Sequence, residues 1–155
     1  MLILYKPFFG ELWFRKQLLE DPETMSYNRA WGGTVAFPRE RWREWYEKWI
    51  SPGETDRMYR YLLLPGSGRF VGEIARHLDA GSGRHLADVI IYAPCRGRGF
   101  GRDGLRLLCG EARESGLKEL WDDIAADNPA VKLFLKEGFT EVCRTDECIT
   151  LKKKL

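Results

Sequence analysis

The segment Cys95-Arg96-Gly97-Arg98-Gly99-Phe100-Gly101 constrains the fold more than any other. It follows the apolar run Ala87 to Ala93 and opens onto a pattern in which Leu105, Leu107, Leu108, Cys109 and Ala112 recur at helical spacing. The order is therefore strand, glycine loop, helix. Glycines at alternate positions let backbone N–H groups turn toward one point, and the first helical turn adds unpaired N–H groups and a positive dipole end. Such an arrangement binds phosphate. Arg96, Arg98 and Arg102 add charge of a single sign, which a loop kept merely flexible by glycine would not need.

The 155 residues fit one domain spanning 1–155. A formal charge of +2 is too balanced for a general nucleic-acid or membrane-surface binder, so the charge at the loop is local. Cys95, Cys109, Cys143 and Cys148 form no Cys-x-x-Cys pair and have no His at zinc spacing, which predicts reduced thiols and no metal site. Met1 to Pro7 has no charged lead or cleavage site, and no apolar stretch reaches membrane-spanning length. The expected compartment is the cytoplasm. A homodimer is compatible with these features.

In chain order, residues 2–5 read as a short strand and Phe8 to Glu20 as a helix. A long loop follows from Asp21 to Thr34, and long structured loops are more often functional than connecting. Pro38 opens a second helix that ends at Pro52-Gly53, with Trp42, Trp45, Tyr46 and Trp49 on one face. That stripe fits a core-facing surface better than a stacking wall for a ligand. Strands over 58–64, 70–78 and 85–93 form an antiparallel meander running into the glycine loop. A helix to Ser115, a strand from Leu117 to Ala126, a short helix to Glu137 and a closing strand pair or one bulged strand complete the chain. Lys152 to Lys154 reads as a solvated end.

Two other phosphate loops compete. A P-loop needs Gly-Lys followed by Ser or Thr, and Arg102-Asp103 stands there. Gly99-Phe100-Gly101-Arg102-Asp103-Gly104 does satisfy G-x-G-x-x-G, with Asp122 and Asp123 about 20 residues on for a ribose. Yet a dinucleotide fold needs alternating strands and helices after the motif, and too little chain remains.

Arg96-Gly97-Arg98-Gly99-Phe100-Gly101 resembles the Arg/Gln-x-x-Gly-x-Gly signature of the GNAT superfamily of N-acyltransferases. Asn128-Pro129-Ala130, Phe134 and Gly138-Phe139 resemble its second motif, in order and at the expected separation. The resemblance implies an α+β fold, with a mixed, mostly antiparallel twisted sheet of about six to seven strands flanked by helices. It also implies acetyl-CoA as co-substrate. Its pyrophosphate would lie on Arg96, Gly97, Arg98, Gly99 and Gly101, its pantetheine along Ile91 and Tyr92, with Asn128 contacting its arm. The implied reaction is acetyl transfer to a primary amine by direct attack in a ternary complex.

Transfer to an amine with a reference pKa of about 10.4 needs a base at neutral pH. Glu73 and Asp88 are the two acids inside the meander and the candidate bases; His77 and His85 flank a turn and read as exposed. Many relatives place a tyrosine four residues before the Gly-Phe... of the second motif's end, at the position held here by Phe134, and a phenyl ring cannot protonate a thiolate. Tyr92 or Cys95 would then substitute, the thiolate would leave unassisted, or the chain would be an acyl-CoA sensor without turnover. The resemblance puts the acceptor beside Asp21, Glu23, Tyr27, Asn28 and Trp31, where carboxylates and aromatics suit a small cationic or peptide amine.

Overall fold

The computed structural model describes residues 1–53 and 56–155. Seven strands form one sheet: β1 (Ile3–Tyr5), β2 (Arg57–Leu64), β3 (Arg69–Asp79), β4 (Arg84–Ile91), β5 (Glu119–Ala125), β6 (Thr140–Arg144) and β7 (Cys148–Lys154). Their spatial order is β1-β2-β3-β4-β5-β7-β6. Four helices flank it: α1 (Trp13–Glu20), α2 (Trp42–Trp49), α3 (Phe100–Glu114) and α4 (Ala130–Lys136). Leu105, Leu108 and Ala112 of α3 and Phe134 of α4 pack with Ile74 and Ile91 on one face of the sheet. Phe14 and Leu18 of α1 pack with Tyr59, Tyr61 and Ala75 on the other, with Trp45 and Trp49 of α2 against them.

The turns sit where glycine permits left-handed backbone, and the meander β2-β3-β4 pairs antiparallel throughout. β4 and β5 instead run parallel and share a single matched pair among the described residues, Leu86 with Trp121. Past that pair the strands separate toward Ile91 and Ala125, leaving a V-shaped gap in the middle of the sheet. The Tyr92 N–H donates to the Val71 carbonyl across the β3 edge. By strand alternation the N–H and C=O of Val89 and the N–H of Ile91 therefore face the gap.

The helices begin later than their sequence suggests. Phe9–Glu11 and Arg39–Arg41 are 3₁₀ turns, and regular α-helix starts only at Trp13 and Trp42. Glu11 explains the first, because its carboxylate accepts from the Phe8 N–H at 2.8 Å and closes a tight turn before the helix begins. The long loop carries its own 3₁₀ helix over Ser26–Trp31. The closing strands are a pair with a bulge at Glu141/Cys143. The terminal lysines are not a free solvated end: Lys152 and Lys153 belong to β7, and Lys153 Nζ donates to the Glu137 carbonyl at 2.6 Å. His77 and His85 are half-buried rather than exposed, since both lie within strands rather than in the turn.

Candidate functional site

The gap between β4 and β5 opens into a cavity of about 740 Å³. At its wide end stand Arg96, Gly97, Gly99, Phe100 and Gly101, where the loop enters α3. Gly97 and Gly99 have φ of +79° and +84°, a left-handed backbone that a Cβ would strain. A Cβ at Gly97 would meet no atom within 4 Å, so the backbone there faces open space. α3 is 15 residues long and its first turn brings its unpaired N–H groups to the same end. Asn128, Pro129 and Leu133 form the opposite wall, and Asn128 Oδ1 accepts from the Ala130 N–H at 2.9 Å. A diphosphate with an extended, amide-bearing arm fits these groups: the loop and helix end for the anion, the free edge of β4 for the amides.

Arg96 lines the cavity but is largely occupied. Its Nε donates to the Ile91 carbonyl at 3.1 Å, and Nη1 and Nη2 donate to the carbonyls of Glu23 and Thr24 at 3.2 and 2.7 Å. It braces the Asp21 to Thr24 segment against the end of β4. Thr24, fully buried, completes the brace by accepting from the Ala93 N–H at 3.0 Å.

Of the residues expected from sequence, Asp88, Ile91, Arg96, Gly97, Gly99, Gly101, Asn128, Tyr27, Asn28 and Trp31 line the cavity. Glu73, Tyr92, Arg98, Asp21 and Glu23 lie outside that lining. Asp21 accepts from the Thr24 N–H at 2.9 Å and holds the turn. Tyr92 packs its ring against Phe14. Glu73 is 4% exposed and accepts from Arg15 Nη1 at 2.5 Å and from the Tyr59 hydroxyl.

The narrow end of the gap is acidic. Asp88 stands two residues past Leu86 and Asp122 one past Trp121, so both carboxylates flank the point where the strands part. Asp88 lies opposite Ala75 and shares its face with α1 and α2; Asp122 shares the other face with Leu120 and Ile124, whose side chains pack with α3 and α4. Both stand against packed protein, Asp122 half-buried and Asp88 with its side chain 58% exposed on the cleft side. This crowding raises the Asp88 carboxyl above its usual range, with Glu73 adding to the rise and His77 and Arg15 opposing it. It raises Asp122 further still, helped by the negative charge of Asp88. Burial, then Asp88 and Glu73, likewise raise the Tyr27 phenol. Sequence alone did not single out Asp122 as a catalytic group, because its neighbour is set by the parallel register of β4 and β5.

These elements define an open mixed sheet split at one parallel pair, with a glycine loop and helix end at the mouth of the split. The acetyltransferase (GNAT) family model matches residues 9–140, and the chain belongs to that family. A spermidine N-acetyltransferase from Vibrio cholerae in complex with CoA and spermine superimposes with a TM-score of 0.81 at 20% identity, over 99% of this chain and 95% of that one. A ribosomal-protein-alanine N-acetyltransferase from Brucella melitensis gives 0.77 at 22%, over 99% and 100%. The PaiA N-acetyltransferase from Thermoplasma acidophilum in complex with coenzyme A gives 0.73 at 12%, over 100% and 99%. No curated protein matches the chain. The dinucleotide alternative is overturned: the loop follows a strand of a mostly antiparallel sheet, not a doubly wound parallel one. No described helix is long and apolar enough to cross a membrane, and no cluster of potential metal ligands occurs among the described residues.

Proposed function

We propose that the chain transfers an acetyl group from acetyl-CoA to a primary amine of a small cationic acceptor, by direct attack in a ternary complex. The observation that carries this reading is the split between β4 and β5, with an anion-binding loop at its mouth and carboxylates at its closed end. Gly97, Gly99, Gly101 and the first turn of α3 would hold the diphosphate, Val89 and Ile91 the pantetheine amides, and Asn128 would border the arm. Acetyl-CoA supplies the activated thioester. Asp88 takes the proton from the attacking nitrogen: it faces the cleft, whereas Glu73 is closed in by Arg15 and Tyr59 and serves to hold them.

Asp88, Asp123 and Asp127 line the cavity together with Tyr27 and the half-exposed Trp31, which favours a positively charged acceptor. Relatives of this fold named for spermidine and for a ribosomal protein's alanine fit either a polyamine or a peptide amine; the acidic lining favours the former. Four free cysteines suit a reducing, cytoplasmic setting, and the fold is read as one domain. Thiol release from acetyl-CoA across polyamine, aminoglycoside and peptide amines tests the reading, with NAD binding as control. Turnover with a polyamine supports it. Tight acetyl-CoA binding without turnover on the whole panel would establish a sensor instead.

A further inference from the structure

Phe134 is 3% exposed and packs edge-on against Phe139 at 4.9 Å, on the wall of the cavity. Its ring offers no proton to a leaving thiolate. Among the other groups expected for that role, Tyr92 lies outside the lining and so does Cys95, which is buried. Asp122 lies inside it. By strand alternation Asp122 is on the same side of β5 as Ile124, which shares a packed cluster with Phe134. It also stands at the closed end of the split, one residue past the Leu86–Trp121 pair.

We propose that Asp122 is the catalytic acid that protonates the departing CoA sulfur, in the place of the hydroxyl that Phe134 lacks. The proposal rests on the acetyl-CoA reading above. The surroundings of Asp122 and Asp88 favour different protonation of the two carboxyls. Asp88 feels the opposing pull of His77 and Arg15, while Asp122 has Asp88 and Asp123 as charged neighbours and the apolar Leu151 opposite it on β7. Asp88 therefore ionises first, and Asp122 holds its own proton to higher pH.

The bonds and protons balance without further reactants. As the neutral amine nitrogen forms its bond to the acetyl carbon, the carbon–sulfur bond breaks and its electron pair goes to sulfur. Asp122 gives its proton to that sulfur, and Asp88 takes the surplus proton from nitrogen. The pair begins and ends with one proton. After product release, proton exchange with solvent through the cleft that both residues line returns Asp88 to carboxylate and Asp122 to carboxylic acid.

Two measurements test this. In the free protein, carbon-13 NMR of aspartate carboxyls, assigned with Asp122→Asn and Asp88→Asn, should show Asp122 protonated at pH 7 and Asp88 ionised. Titration of Asp122 near the ordinary value of about 3.9 overturns the proposal. With an amine from the panel, Asp122→Asn should lower kcat about 100-fold with little change in KM for acetyl-CoA. Adding Phe134→Tyr to that variant should recover at least about tenfold of the lost rate, which a merely structural role would not allow. Asp122→Asn within about threefold of wild type overturns the proposal alone. A wild type without turnover on any amine overturns the underlying reading and the proposal with it. Should Asp122→Asn not fold, the wild-type kcat at saturating amine decides: a fall on the alkaline side supports the acid, and its absence overturns it.

Discussion

The molecule holds two kinds of carboxylate, and they differ in what faces them. Glu73 and Glu111 are each closed by a guanidinium: Arg15 at 2.5 Å from Glu73, and Arg76 at 2.7 and 2.8 Å from the two oxygens of Glu111. Asp88 and Asp122 flank, from opposite faces of the sheet, the point where β4 and β5 stop pairing. For Glu111 burial works to raise the carboxyl, yet hydrogen bonds from Arg76 and Ser115 hold it below its usual range. For Asp122 burial and the charge of Asp88 outweigh the hydrogen bond from the Asp123 N–H, and the carboxyl rises. A carboxylate thus fastens a helix to the sheet in one place and is held toward its neutral form in another, and the surroundings decide which.

That contrast can be broken most forcefully at Arg76, which is fully buried. Arg76→Ala would leave Glu111 without its fork and should cost about 3 to 5 kcal/mol in urea unfolding. A loss below about 1 kcal/mol would put this pair in the class of surface bridges. On the other side of the comparison, Asp88→Asn should lower kcat about 100-fold or more while its unfolding midpoint stays near wild type. If Glu73→Gln instead gave the larger rate loss with an intact fold, the roles of the two carboxylates would be exchanged.

Smaller effects sharpen the same picture. Gly97→Ala places a Cβ on backbone at φ +79° and should cost about 1 to 2 kcal/mol, with acetyl-CoA binding by calorimetry weakened about tenfold. Asp122→Asn should stabilise the fold by about 1 kcal/mol at pH 7, since it removes a carboxyl that folding makes hard to ionise. Glu111 and Asp122 also respond to pH with opposite sign. Glu111, lower in the folded state, contributes stability that is full above the ordinary glutamate value of about 4.3 and is lost as pH falls through its lowered value. Asp122, raised in the folded state, costs stability as pH rises through its own value, and this slope should vanish in Asp122→Asn.

Much of the fold is legible in the chain. Strand patterns at 58–64, 70–78 and 85–93, glycine turns between them and the loop at Gly97 and Gly99 give the meander and the mouth of the cavity. The aromatic face of α2 reads as core, and Trp42 and Trp45 do pack against Phe37 and Tyr59. Less of the site was visible. Glu73 and Asp88 are both acids within short strands, and periodicity gives each the same chance of reaching a ligand. What separates them is Arg15, which is 58 residues away from Glu73 in sequence and meets it only when α1 packs on β3.

What the residues determined by themselves is local: glycines that permit left-handed turns, a helix that begins beside them, and a phenyl ring at 134 that cannot donate a proton. These depend on the backbone and chemistry of the residue and its near neighbours. Which carboxylates are closed by a guanidinium was decided by tertiary structure alone. β4 and β5 meet at one residue pair and then diverge, and that register sets Asp88 and Asp122 just past it on opposite faces of the sheet. Coulomb interaction and desolvation depend on distance through space, so the proton that the proposed reaction needs is stored by packing that no stretch of sequence encodes.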